Sequence, residues 1–345
     1  MRCRSWRIVS IAQRHRGNFP ENGSVLNVLT VTFPFFALVL CGYIAARRAL
    51  LPLAAIPGLN SFVLYFALPC MLYRFGASTP IAQLLDLGVA LTYLSCGLIV
   101  VAFVIAVTLH GRIGWNDAAF GALVGAFPNT GFMGVPLLVA LIGPAAAGPA
   151  IVTILVDMVI TTSVCIALSR LDGHDMASAG RAVQNALKGV ATNPMPWAIL
   201  LGALVSALQL ALPHPLVQTV GLLADAASPV ALFTIGAVLA RSQMMAQTGQ
   251  AQPVAWLEVV PVAAVKLFLH PLLVLLVGVG AIQIGVPLSR FSLTVLVLLA
   301  ALPSASNVSL LAERFGADNG RIARIILVST ASAFFTFSGV VAVMT

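Results

Sequence analysis

The chain has 345 residues, 60% hydrophobic and only 8% charged, against about a quarter charged in an ordinary soluble domain. That composition excludes a soluble globular protein. The net charge of +8 comes from arginines scattered between apolar runs, with no basic face, which argues against a nucleic-acid partner.

Residues 1–24 carry Arg2, Arg4, Arg7, Arg14 and Arg16 and no long apolar run. A cleavable signal needs an apolar region directly after its basic one. Here the apolar run starts near Val25 and continues as a full span, so no cleavable signal is expected. At about 20 mostly apolar residues per crossing, the chain predicts ten transmembrane helices. They cover 25–46, 53–75, 83–109, 117–142, 145–169, 191–212, 216–241, 255–282, 288–312 and 321–344. The predicted fold is an all-α integral membrane protein.

The longest connection, 170–190, holds Arg170, Asp172, Asp175, Arg181 and Lys188, and it divides the spans five and five. The expected organisation is a tail (1–24), a first five-helix repeat (25–169), a cytoplasmic linker (170–190) and a second five-helix repeat (191–345). With an odd number of spans per half, the second half enters the membrane from the opposite side, so the repeats are inverted. Pro69 to Gly76 and Pro229 to Gly236 share a Pro-x6-Gly spacing, each behind a Leu-Pro pair, Leu51-Pro52 and Leu212-Pro213. Two unrelated kinks are the competing reading.

Loops after odd-numbered spans hold Arg47, Arg48, Arg112, Arg170, Arg181, Lys188, Arg241, Arg314, Arg321 and Arg324, whereas the other loops hold only Arg74 and Arg290. Cytoplasmic loops are enriched in cations, so both termini are expected outside. The arginine-rich tail runs against this. A native start near Val25 would reconcile the two, and intact Met1 or Arg2 on N-terminal sequencing would refute it.

Two spans are broken at their middles. Span four contains Phe127-Pro128-Asn129-Thr130-Gly131-Phe132-Met133-Gly134-Val135-Pro136, and span nine contains Leu302-Pro303-Ser304-Ala305-Ser306-Asn307-Val308. Proline removes a donor and clashes with the carbonyl four residues back. Unwound backbone survives at membrane depth only where protein buries it or water reaches it, and paired breaks in opposed halves point to a carrier's substrate site. The candidate substrate-binding residues are Pro128, Asn129, Thr130, Gly131, Gly134, Pro136, Pro303, Ser304, Ser306 and Asn307. Gly131 and Gly134 permit close backbone approach. Half-helix N-termini carry roughly +0.5 charge each, which suits a carboxylate. Kinked helices packed through small residues are the alternative.

Charges inside predicted spans are functional candidates by default. These are Asp157 in span five, Asp225 in span seven, and Lys266 in span eight with His270 one turn later on the same face. Lys266 could neutralise a substrate carboxylate, pair with Asp225 or Asp157 and exchange a proton, or brace helices as a static ion pair; the sequence leaves these open. Asp86, Asp117, Glu258 and Glu313 fall near span ends, where solvated positions are expected. Cys3, Cys41, Cys70, Cys96 and Cys165 form no C-x-x-C pair, and the histidines lack ligand spacing, so neither metal nor cofactor is expected.

The run Pro128 to Pro136, and Leu302 to Asn307 continuing to Ala312, Phe315 and Gly316, resemble the two hallmarks of the auxin efflux carrier family. Its bacterial members include proteins described as malonate or other organic-anion transporters. The resemblance runs from about residue 25 to the end. It implies ten spans in two inverted repeats, crossover helices four and nine, a scaffold and a transport domain, and an elevator-like movement. It assigns Pro128 and Asn129 to the first crossover, and Pro303 and Asn307 to the second. The plant members' long loop after span five is absent, which speaks against auxin as the substrate.

The expected function is secondary transport of a small organic anion, a mono- or dicarboxylate, across the cytoplasmic membrane. No Gly-x-x-x-x-Gly-Lys-Ser/Thr motif is present, so a gradient must supply the energy. A proton is the coupling ion if Lys266 or an aspartate titrates; sodium is, if Asn129, Thr130, Ser304 and Asn307 bind it with backbone carbonyls. No enzyme is expected, since neither paired carboxylates on one helix nor His-Glu-x-x-His occurs. A uniporter, a channel or a ligand sensor on the same fold stays open, as does a homodimer.

Overall fold

The computed structural model describes residues 25–79, 86–109, 113–171, 184, 194–247 and 256–344. The tail 1–24, Arg112, and Asp172, Asp175, Arg181 and Lys188 of the linker lie outside the described residues.

Among the described residues every regular element is helical. In chain order these are α1 (Val25–Arg47), α2 (Leu53–Ser78), α3 (Leu87–Thr108), α4 (Trp115–Ala126), α5 (Thr130–Ile142) and α6 (Pro144–Leu168). Then follow α7 (Pro194–Ala207), α8 (His214–Gln247), α9 (Trp256–Gln283), α10 (Arg290–Ala300), α11 (Asn307–Phe315) and α12 (Asn319–Met344). Seven of them (α1, α2, α3, α6, α8, α9 and α12) are long and apolar enough to cross a bilayer. The chain is therefore a multi-pass membrane protein. The predicted fourth span is divided into α4 and α5, the ninth into α10 and α11, and the sixth ends early at Ala207.

Prolines mould these helices locally. π-Helical turns occupy Val63–Ala67, Thr130–Gly134 and Val265–Leu269. Each is followed two residues later by a proline: Pro69, Pro136 and Pro271. Proline cannot donate and its ring crowds the carbonyl four residues back; widening the preceding turn by one residue relieves both problems. A fourth π turn, Val156–Thr161, has no such proline. There Thr162 Oγ1 donates to the Asp157 carbonyl at 2.7 Å and serves the widened turn.

The helices form two packed groups. One contains α1, α2, α7 and α8; the other contains the remaining helices, and α1 and α8 also touch α12 and α5. Lipid is as apolar as the helices, so close packing through small residues replaces hydrophobic drive. In the first group, α1 crosses α8 at Gly42 and Gly236, where an added Cβ would strike the Phe233 or Val39 carbonyl. α2 crosses α7 at Gly76 and Gly202, where it would strike the Ile199 or Tyr73 carbonyl. Gly42 and Gly202 are separated by the same number of residues as Gly76 and Gly236.

Gly236→Ala should push α1 from α8, because the obstructing atom is backbone and cannot yield; the cost should be about 1–3 kcal/mol, read as a lower melting temperature in detergent. Gly339→Ala in α12 meets open space and should equal the wild type or gain up to about 1 kcal/mol.

Candidate functional site: the crossing of two broken helices

The two breaks meet. α4 closes with Phe127 N–H donating to Leu123 O at 2.9 Å. Beyond it, Asn129 N–H donates to Pro303 O at 2.8 Å, and Ala305 N–H donates to Phe127 O at 2.9 Å. Pro128 and Ser304 thus face each other in a one-residue antiparallel bridge. Each broken segment satisfies the other's backbone, which answers the requirement that no polar group stay bare at membrane depth. Ser304 N–H finds a third partner, Ser329 Oγ of α12, at 3.2 Å.

The first break then re-enters a helix. Asn129 adopts φ −76°, ψ 55°, an inverse γ-turn closed by Thr130 N–H to Pro128 O at 2.8 Å. The Asn129 carbonyl accepts from Met133 and Gly134 N–H and so opens the π turn. Gly134 sits against Leu299 and Leu302 of the other break, where a Cβ would be 2.9 and 2.7 Å from their methyl groups. Gly131, expected to serve a similar close approach, has open space around it. The second break re-enters as α11, which ends on Gly316 at φ 72°.

Asn129, Thr130 and Ser304 are buried. Thr130 Oγ1, Ser304 Oγ and Asn307 Oδ1 have no hydrogen-bond partner among the described residues. An unsatisfied buried polar atom costs about 1–3 kcal/mol, so three at one crossing make it a candidate binding site. Beside them lies a small cavity between the crossing and the helices α2 and α8. Phe132, Ser306, Asn307 and Ser309 line one wall. Asn60 and Leu64 of α2, with Ile235, Val238 and Arg241 of α8, line the other. Sequence reasoning missed Asn60 and took Arg241 for a loop cation. The available signals were Asn60 as a lone amide in an apolar span, and the three-residue spacing that carries Ile235, Val238 and Arg241 along one face of α8.

The structure separates the candidate charges. Lys266 is fully buried, and its ammonium donates to Ala300 O at 2.6 Å, the last residue of α10. His270 Nδ1 lies 3.2 Å from the same ammonium. Neither Asp225 nor Asp157 is in ion-pair range of Lys266, which corrects both pairings considered from sequence. Lys266 instead caps the broken helix, where a cation complements the C-terminal dipole.

Asp225 is not a buried charge either. It pairs with Arg74 at 2.6 Å, with side chains 70% and 43% exposed. Asp157 is buried; it accepts from Tyr93 Oη at 2.7 Å and Thr161 Oγ1 at 3.1 Å. The Tyr93 ring packs on His270 at 6.1 Å. Asp157 with Tyr93 and His270 with Lys266 are thus two buried polar pairs that meet through the Tyr93–His270 ring contact, and the second ends on the break of span nine.

Three charges expected at solvated ends or in loops have structural work. Asp86 caps α3 by accepting from Val89 N–H at 3.0 Å. Asp117 accepts from Asp318 N–H at 2.7 Å. Arg321 is buried and donates to the carbonyls of Asp117 at 3.0 Å and Glu258 at 3.3 Å. No group of three or more His, Cys, Asp or Glu residues suited to a metal occurs among the described residues.

The chain is similar to known membrane transport proteins. A family model described as Membrane transport protein matches residues 27–341. The chain is 28% identical over 313 residues to a Rhizobium meliloti (strain 1021) protein named "Putative malonate transporter", covering 90% of this chain and 93% of the relative. It is 27% identical over 287 residues to "Uncharacterized transporter YfdV" of Escherichia coli (strain K12), covering 82% and 86%.

Tyr93→Phe should strip a donor from a buried carboxyl and destabilise the protein by about 1–3 kcal/mol. In an Asp157→Leu background the same change should cost no more than about 0.5 kcal/mol, because the acceptor is already gone. Melting temperatures of the four proteins of this cycle check it; equal costs in both backgrounds would dismiss the contact.

Proposed function

This chain belongs to the membrane transport protein family, the auxin efflux carrier family, and is a transporter and not an enzyme; from that premise we propose that it is a secondary carrier of a small carboxylate working at the crossing of its two broken helices. The single observation that carries the reading is the meeting of the breaks, Asn129 N–H on Pro303 O and Ala305 N–H on Phe127 O, beside orphaned Thr130, Ser304 and Asn307 side-chain oxygens. Two helices, α5 and α11, begin there, and their free N–H groups favour an anion.

Counting α4–α5 and α10–α11 as one crossing each, with α7 as the sixth, gives ten spans in inverted halves, 25–169 and 191–345. The equal spacing of Gly42 to Gly202 and Gly76 to Gly236 supports that repeat. In this reading α1, α2, α7 and α8 are the scaffold. The second group carries the crossing as a transport domain and slides past it in an elevator-like movement, with both termini outside the cytoplasmic membrane. A small-molecule carrier of this kind needs no cofactor.

A proton is the coupling ion in this reading. The support is the pair of buried polar groups, Asp157 with Tyr93 and His270 with Lys266, packed together through the Tyr93 and His270 rings, with Lys266 holding the end of α10 at the crossing. A carboxyl is a functional-site candidate at such depth.

Asn129→Ala and Asn307→Ala proteins in liposomes should remain folded and inserted while losing malonate uptake by at least about tenfold, as expected when a polar group is removed from a built site. Wild-type rates in both would dismiss the crossing as the site. At zero membrane potential, wild-type uptake should follow an imposed pH gradient and Asp157→Asn uptake should not; uptake indifferent to that gradient in the wild type would remove proton coupling.

A further inference from the structure

The wall of the cavity opposite the crossing carries a cation for which the crossing itself provides no partner. Arg241 is partly buried on α8 and lines the cavity together with Ser306 and Asn307. Its guanidinium makes no hydrogen bond or ion pair with any described residue. No aspartate or glutamate among the described residues lines the cavity. The Asn60 side-chain amide lines the same cavity, again with no hydrogen bond among the described residues.

A guanidinium drawn partly out of water has lost solvation, and a paired anion restores the balance. Its planar fork of five donors fits a carboxylate with two parallel hydrogen bonds. An amide nearby adds one more donor. Apart from Ser309 the rest of the lining is apolar, with Leu64, Phe132, Ile235 and Val238, which suits a short hydrocarbon link. The crossing, for its part, offers two unpartnered hydroxyls, those of Thr130 and Ser304, that can donate to an anion.

We infer that Arg241 and Asn60 form a second carboxylate subsite, so that the cavity, which has room for little more than a water molecule in this arrangement of the helices, opens to take a dicarboxylate with one carboxylate at the crossing and the other on the guanidinium. This rests on the carrier reading above and adds the substrate class and the residues that select it. The two subsites lie on different bodies: Arg241 and Asn60 on α8 and α2, and the crossing on α5 and α11. A dicarboxylate therefore spans the two groups of helices, whereas a monocarboxylate engages only one.

The test is equilibrium binding by calorimetry of malonate and its monomethyl ester, which has nearly the same shape and one charge less, to the purified full chain. The wild type should bind malonate at least about tenfold more tightly than the ester, as expected where a desolvated charge loses its partner. Arg241→Gln should bind the two within about twofold, with the ester's own affinity close to the wild-type value, and Arg241→Lys should recover part of the preference. The wild-type preference surviving in Arg241→Gln would overturn the assignment, and so would an equal loss for both ligands in a protein that melts like the wild type. A wild type that binds and transports the ester as well as malonate keeps the carrier reading and overturns the second subsite alone. A wild type that binds neither and transports no carboxylate removes both.

Discussion

Backbone hydrogen bonding between the two breaks is the constraint on which the rest depends. A helix interrupted inside a membrane leaves carbonyls and amides that neither water nor lipid will satisfy. Here the interruption in one half is repaired by the interruption in the other, through Asn129 to Pro303 and Ala305 to Phe127. Neither break is stable at that depth without its opposite. The crossing is thus an obligate joint, and it leaves side-chain oxygens of Thr130, Ser304 and Asn307 unused for the fold.

The remaining charges serve that joint or stand apart from it. Lys266 places its ammonium on the carbonyl end of α10 beside His270, whose ring packs on Tyr93, the donor to Asp157. Arg321 plays a comparable part at the end of the bundle, tying the backbone at Asp117 to that at Glu258. Arg74 and Asp225 face outward and complete each other. Arg241 differs from all of these in lining the cavity with no acid among the described residues there.

The two groups of helices are held in different ways. α1 with α8, and α2 with α7, approach so closely at glycines that carbonyl oxygens occupy the space of a Cβ. Such contacts are rigid, because backbone obstructs backbone and close packing is the main attraction available between helices in lipid. The second group is threaded by the broken helices and by π turns next to Pro136 and Pro271 and around Asp157. A rigid frame beside a group built around a joint is an arrangement suited to relative movement.

Much of this was legible in the chain itself. Apolar runs and prolines are local properties, so the all-helical membrane class, the long spans and the two breaks follow from residue order, as do the family hallmarks around Asn129 and Asn307. Partnerships across the fold were not legible, because they join residues far apart in sequence through the packing of separate helices. Only the tertiary structure decided that Lys266 caps Ala300 and does not pair with an aspartate, that Asp225 lies at the surface, and that Gly134 but not Gly131 is tightly enclosed. It alone turned Arg241 from one cation among many into the wall of a cavity. A sequence records where a helix must break; which carbonyl a buried ammonium reaches depends on what the opposite half places beside it.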